Sequence, residues 1–289
     1  MEIVLAENAG FCFGVQKAVD EVYRQIADDK NTAVCTFGEI VHNETVTSDL
    51  AAKGVRILRD AGASVEEAEK TCVVIRAHGV GKQVYEALEA QGVRVVDATC
   101  PFVRRIHTIV QKAGEQGQTV IVVGNPEHPE VQGITGWACG PIFVVTSPAD
   151  ANALTERLSR ETEMTIVSQT TFQRPKFKET VEVFRGKEYN VHIVDTICSA
   201  TSVSQEEADR IASDADVMIV VGGAHSSNTR KLYEICKAKC ARTYLVGQAG
   251  ELNAQMFDGA HRVGITAGAS TPKNIIQEVQ TYVRTRSKL

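Results

Sequence analysis

The chain has 289 residues, of which 43% are hydrophobic and 23% charged, and its formal net charge is −5. That is enough apolar material for a substantial core and enough length for two or three domains. The longest apolar runs hold about five residues where a membrane span needs ~20, and net acidity disfavours a general nucleic-acid surface, which needs clustered Lys and Arg. Met1 is followed by Glu2 and a β-like run where a signal peptide would place basic residues and a longer apolar segment. A cytoplasmic location is therefore expected, with neither nucleic acid nor membrane as partner.

In chain order, Ile3–Leu5 reads as a strand leading to Cys12, and a helix-period segment follows through Val15, Ala18, Val19, Val22 and Ile26. Short β-branched runs at Ala33–Phe37, Val55–Leu58 and Val73–Ile75 then alternate with helical segments. The run VRVVDATC closes on Cys100, after which the helical pattern restarts through Val103, Ile106, Ile109 and Val110 and gives way to strands at Val120–Val123, Ile142–Val145 and Thr165–Val167. The run VHIVDTIC closes on Cys198, followed by a polar helical segment around residues 203–213 and strands at Val217–Val221, Thr243–Val246 and Val263–Thr266. Strands alternating with helices predict parallel sheets covered on both faces. Pro101, Pro175 and Pro272 fit first turns of helices, where a missing N–H costs nothing.

The order repeats. Cys12, Cys100 and Cys198 are separated by 88 and 98 residues, and a glycine closing a second apolar run follows each: Gly38, Gly124 and Gly222. Four residues past each glycine stands His42, His128 or Ser226, and six past it Glu44, Glu130 or Asn228. Such periodicity fixes architecture before any motif is named. The expected fold is α/β: three small units with parallel sheets, related by a pseudo-threefold axis as a trefoil. Their spans are 14–96, 97–194 and 195–289, the last completed by the strand in 1–13. The carboxyl ends of the strands, where open α/β sheets keep their ligands, would meet at a common centre.

Eight cysteines in a cytoplasmic chain of this length point to metal binding or packing before disulfides. Cys236 and Cys240 share a helical face with Leu232, and Cys35, Cys72 and Cys139 have no partners in the repeat, so all five are expected to be structural. One thiol per unit is most simply a single three-thiolate site. Structural zinc usually takes four protein ligands, whereas catalytic zinc or a three-cysteine iron–sulfur cluster leaves a position open. Spacing alone does not separate those two.

GFCFGVQKAV, VDATCPFVRRIH, HPEVQGITGW, SQTTF, DTICSATSVSQ and HSSNTRKL resemble the successive signatures of the LytB/IspH family, the 4-hydroxy-3-methylbut-2-enyl diphosphate reductases of isoprenoid biosynthesis. They stand in the family's order and span about residues 10 to 275. The resemblance implies an oxygen-sensitive 4Fe-4S enzyme of the non-mevalonate pathway. Two electrons and two protons would remove the allylic hydroxyl of its substrate, giving isopentenyl and dimethylallyl diphosphates. Cys12, Cys100 and Cys198 would be the cluster ligands, and the fourth iron, open to substrate, would act as Lewis acid and point of electron entry.

By the same resemblance His42, His78, Ser226, Ser227, Asn228 and Ser270 would hold the diphosphate. Glu130 would donate a proton, with His128 beside it and Thr171, in preference to Thr170, on the substrate hydroxyl. Hydroxyls, an amide, imidazole N–H groups and helix starts can cradle a diphosphate without lysine. Taken alone, Ser-Ser-Asn is an ordinary helix cap and Glu130 an ordinary complement to a helix dipole. His225 stands where the family often has Asn, which touches only an outer detail of that pocket. No appended domain is expected after Leu289, and no nucleotide fingerprint or second cysteine cluster is present, so an external ferredoxin or flavodoxin is the expected electron donor. A non-catalytic metal sensor would not need the His/Ser/Asn/Glu set, and a zinc phosphohydrolase would share the phosphate pocket without a redox requirement.

Overall fold

The structure, a computed structural model, describes residues 1–29 and 31–286. The first third of the chain runs β1 (Glu2–Leu5), α1 (Phe13–Asp28), β2 (Ala33–Phe37), α2 (Glu44–Ala52), β3 (Arg56–Leu58), β4 (Thr71–Ile75), α3 (Lys82–Ala90) and β5 (Arg94–Asp97). Then come α4 (Pro101–Glu115), β6 (Thr119–Val123), α5 (Pro129–Thr135), β7 (Ile142–Val145), α6 (Pro148–Thr155), β8 (Met164–Ser168), α7 (Arg174–Gly186) and β9 (Val191–Ile193). The rest comprises α8 (Ser199–Asp214), β10 (Val217–Val221), α9 (Ser227–Lys239), β11 (Thr243–Val246), β12 (Arg262–Ala267) and α10 (Lys273–Arg286). The fold class is the expected one, α/β with three four-stranded sheets.

The chain divides into two compact units. One comprises Met1–Gln16, Val41–Asp49 and Ser199–Leu289 and contains the sheet β1-β12-β10-β11. The other comprises Lys17–Ile40 and Leu50–Cys198 and contains the sheets β3-β2-β4-β5 and β7-β6-β8-β9. Every pairing is parallel. All three sheets share one topology, and in the first unit β1 takes the edge held by β5 and β9 in the others, with Ile3 in register with Val263. Parallel strands need a crossover between them, which the helices supply, and strands covered on both faces read as continuous apolar runs. Strands β4, β6, β8 and β10 are buried along their whole length.

Helix α4 illustrates how a helix is held to its sheet. Val103, Ile106, Val110 and Ala113 recur at helical spacing and are buried against Val120, Val122 and Val167, together with Val131 and Ile134 of α5. Full burial of one such aliphatic side chain stabilises by roughly 1.5–3 kcal/mol. Pro101 occupies the first turn of α4 and Pro175 that of α7, while Pro272 sits one residue ahead of α10.

Four of the five cysteines assigned to packing are buried: Cys35, Cys72, Cys236 and Cys240. Loss of solvation raises the thiols of Cys35 and Cys72 and pushes Cys236 up to about 12, so these sulfurs are inert at neutral pH. Cys139 departs from the expectation, since it is exposed. It lies just past α5, and the group anchored inward there is the indole of Trp137, whose Nε1 donates to the Val80 carbonyl at 2.8 Å.

Candidate functional site

Each of Cys12, Cys100 and Cys198 stands immediately ahead of a helix, respectively α1, α4 and α8, and each is half-buried. Thiolate is the form of cysteine that binds metal. The backbone reproduces the equivalence: Cys12 N–H donates to the Ala269 carbonyl (3.3 Å), Cys100 to Ala77 (3.0 Å) and Cys198 to Thr170 (3.0 Å). Those three acceptors all lie two residues beyond a strand end, after β12, β4 and β8. The D-x-x-C pattern has its own cause. Asp97 Oδ1 accepts the N–H of Thr99 (2.9 Å) and Asp195 Oδ1 that of Ile197 (3.1 Å), turns that aim the cysteine. Asp97 is also paired with Arg104 at 3.0 Å, and Asp195 with Arg174.

Cys12 lacks such an aspartate, and a carboxylate from far along the chain replaces it. Glu207 of α8 accepts the N–H groups of Glu7 (2.8 Å) and Asn8 (3.0 Å) and the side-chain amide of Asn8 (3.1 Å). Burial works to raise its pKa, but these donors outweigh burial and hold the carboxyl below its ordinary range.

In the unit that carries Cys100 and Cys198, the loop after β6 meets the loop after β8. His128 caps α5, its Nδ1 accepting the N–H of Glu130 at 3.1 Å. The neutral ring therefore carries its proton on Nε2, which leaves that nitrogen as a donor. The His78 ring meets His128 edge-on at 5.3 Å. Glu130, only 2% exposed, receives the Thr170 N–H on Oε1 (2.6 Å) and the Thr170 hydroxyl on Oε2 (2.7 Å). Desolvation raises its pKa to about 7 against the lowering effect of both Thr170 bonds, so the carboxyl can hold a proton at neutral pH. Thr171 is half-buried, and its hydroxyl accepts from Gln169 Nε2 at 3.1 Å. Thr170 is thus committed to Glu130, and Thr171 is the more accessible of the pair.

In the other unit, Ser226 caps α9 by accepting the Thr229 N–H (3.4 Å), and Ser270 Oγ donates to Ser226 Oγ and to the His42 carbonyl, both at 3.4 Å. Gly223 is needed for this approach, since a Cβ there would lie 2.8 Å from the His42 carbonyl oxygen. Asn228 is 5% exposed, yet neither its Oδ1 nor its Nδ2 has a hydrogen-bond partner. A buried amide with both ends unsatisfied is costly, and such a group is explained by a ligand that completes it. The first turn of α9 supplies further donors, because the first N–H groups of a helix have no intrahelical partner. Ser227 is half-buried at that turn, and His225 is exposed just ahead of it.

The structure adds an equivalence that spacing from the glycines did not reveal. His78, Thr171 and Ser270 each stand three residues past the end of a central strand, β4, β8 and β12, just as His42, His128 and Ser226 stand five past β2, β6 and β10. Counting from strand ends exposes it. Gln169 was missed despite lying within SQTTF; its Oε1 accepts the Asn125 N–H (3.2 Å) and ties the two loops together. Glu207 carried no local signal, its partners being 199 and 200 residues away.

Residues 3–284 match the family described as LytB protein. The 4-hydroxy-3-methylbut-2-enyl diphosphate reductase of Caldanaerobacter subterraneus subsp. tengcongensis is 42% identical, covering 96% of this chain and 95% of that protein. That of Geobacter sulfurreducens is also 42% identical, with coverage of 96% and 95%. A solved structure titled (E)-4-hydroxy-3-methyl-but-2-enyl diphosphate reductase, the terminal enzyme of the non-mevalonate pathway, is 38% identical with a TM-score of 0.70, covering 99% of this chain and all of that one. The structure of the Plasmodium falciparum E-1-hydroxy-2-methyl-but-2-enyl-4-diphosphate reductase is 26% identical with a TM-score of 0.90, covering 98% and 87%. With its cysteines, acid and anion donors on equivalent loops of three like sheets, this chain belongs to the LytB family.

Proposed function

We propose that the chain reduces (E)-4-hydroxy-3-methylbut-2-enyl diphosphate to isopentenyl and dimethylallyl diphosphates, with two electrons and two protons consumed and the hydroxyl released as water. The observation that carries this reading is the half-buried thiol at three equivalent helix starts, in a chain whose other strand-end loops hold anion donors and a protonatable carboxyl. Cys12, Cys100 and Cys198 would hold a 4Fe-4S cluster with one iron left open to substrate. When bound, that group supplies electrons and polarises the departing oxygen. The residues fit it: three half-buried thiols at helix starts, on loops pinned by Asp97, Asp195 and Glu207.

The chain's own side chains supply binding and protons. Asn228, Ser226, Ser227, Ser270, His42 and His78 take the diphosphate, and the unsatisfied amide of Asn228 gains on binding what it lacks in the free protein. Carbon–oxygen cleavage needs a proton on the leaving oxygen and a second on the allylic carbon; Glu130, held near neutral pKa, supplies one and supplies the other only after it is reprotonated from solvent. His128 Nε2 and the Thr171 hydroxyl orient the substrate oxygen. Each electron comes from outside, from a ferredoxin or flavodoxin in the cytoplasm. The repeat also supports dividing the chain into three α/β units, 14–96, 97–194 and 195–289 with 1–13.

Anaerobic purification, followed by absorption and EPR spectra with iron and sulfide analysis, tests the assignment. The expected result is one cluster per chain, lost or severely depleted in Cys12→Ser, Cys100→Ser and Cys198→Ser and retained in Cys236→Ser, because an alcohol is a far poorer soft-metal ligand than thiolate. Full occupancy in any of the first three variants, or zinc in place of iron, overturns it.

A further inference from the structure

Helix α4 has two faces of opposite character. Val103, Ile106, Val110 and Ala113 turn inward, and the same 3.6-residue period places the exposed Phe102, Arg105 and Lys112 along one outward stripe, with Ile109 between them partly buried against the core. Phe102 is 43% exposed although it lies in the first turn, two residues from Cys100. Arg105 and Lys112 are exposed and have no carboxylate partner among the described residues, whereas the neighbouring Arg104 is bound to Asp97. The helix dipole adds positive character at the Phe102 end. An aromatic group beside an uncommitted arginine is the composition of an interface centre, and isolated basic groups steer acidic partners.

We propose that this stripe is the docking surface for an acidic, one-electron iron–sulfur protein. The sign of the stripe opposes that of the whole chain, which is −5, so the charge is local and complementary to an acidic partner. A partner seated at Phe102 reaches the part of the fold nearest, along the chain, to the Cys100 thiol. Electron transfer there makes and breaks no bond: the reduced partner gives up one electron, leaves oxidised, and a second reduced molecule brings the other electron of the turnover. The inference rests on the reading of Cys100 as a cluster ligand.

The test uses cluster-loaded protein, a reduced acidic bacterial-type ferredoxin as partner, and the variants Arg105→Glu/Lys112→Glu and Phe102→Ser. Titration of ferredoxin should show binding that weakens with salt, weakened roughly tenfold in the double variant with its salt dependence lost or reversed. Turnover driven by ferredoxin should fall in step, while turnover driven by reduced methyl viologen, which needs no docking, stays as in the parent protein. Equal ferredoxin binding in parent and double variant overturns the proposal, and so does an equal loss with the dye, which would mark the stripe as structural. Self-association of the parent that the variants abolish would assign the face to a second copy and also overturn it. Absence of dye-driven turnover in the parent would count against the reductase reading alone, since the binding titration still decides the docking face.

Discussion

Two buried groups separate structural from chemical roles at the scale of single residues. The Asn228 side chain makes no hydrogen bond within the fold, so Asn228→Ala removes no hydrogen bond that holds the protein together. The expected outcome is an unfolding stability near that of the parent and a diphosphate affinity lower by one to two decades, from roughly 1.5–3 kcal/mol for a charge-assisted bond. Ser226→Ala should differ, costing about 0.5–2 kcal/mol of stability as well, since Ser226 caps α9. Calorimetric titration with inorganic diphosphate beside chemical denaturation reads both, and unchanged affinity in Asn228→Ala removes it from the site. Glu130→Gln keeps size and one acceptor but supplies no proton, so substrate should still bind while turnover falls by roughly two to four decades. In the parent, turnover should decline as pH rises through about 7, where the carboxyl loses its proton. Stability follows the same sign: a folded pKa raised from 4.5 to about 7 means a contribution present below the lower value and lost on rising to the upper one. The stability of the parent relative to Glu130→Gln should therefore grow as pH falls across that window, and a flat difference would mean the carboxyl is not held protonated.

At the scale of elements, the turns before the cysteines explain why V-x-D-x-x-C recurs. Asp195 contributes an acceptor for the Ile197 N–H, which Asn can also supply and Ala cannot. Asp195→Ala should lower iron retention after desalting, while Asp195→Asn should keep most of it, the Arg174 pair being exposed and worth little; equal retention in the two variants removes the turn from the account. Among the described residues the twelve strands were legible because their β-branched runs are short and alternate with helical segments, and all twelve contain residues of the expected runs, β1 beginning one residue early at Glu2. The helices that begin at Cys12, Cys100 and Cys198 were legible for the same reason of period. The pairing of Thr170 with Glu130 was not, because Thr170 lies in the loop past β8 and Glu130 in the first turn of α5, where strand alternation no longer says which side chain points where. The contact of Glu207 with Glu7 and Asn8 was hidden by sequence distance, although β1 pairing with β12 is what brings those segments together.

For the whole molecule, the proposed cluster would tie together three points of the chain that lie 88 and 98 residues apart. A link closing loops of that size removes several kcal/mol of entropy from the unfolded chain, about 4.7 kcal/mol for a 100-residue loop closed by a disulfide. A ligand that binds only the folded state adds its own binding free energy. Among the described residues no disulfide is present to do this work, and every cysteine is free. The cluster-loaded protein should therefore unfold at a temperature several degrees above that of protein stripped anaerobically with a chelator and an oxidant, a shift of ~2–4 °C corresponding to each kcal/mol in a chain this long. Cys198→Ser should unfold at the same temperature before and after stripping, because it holds no cluster to lose, whereas Cys236→Ser should keep the full difference. Scanning calorimetry under argon measures all three. Coincident midpoints for loaded and stripped parent protein would mean that the thiols bind their metal without joining distant parts of the chain, and the single three-thiolate site would have to be abandoned.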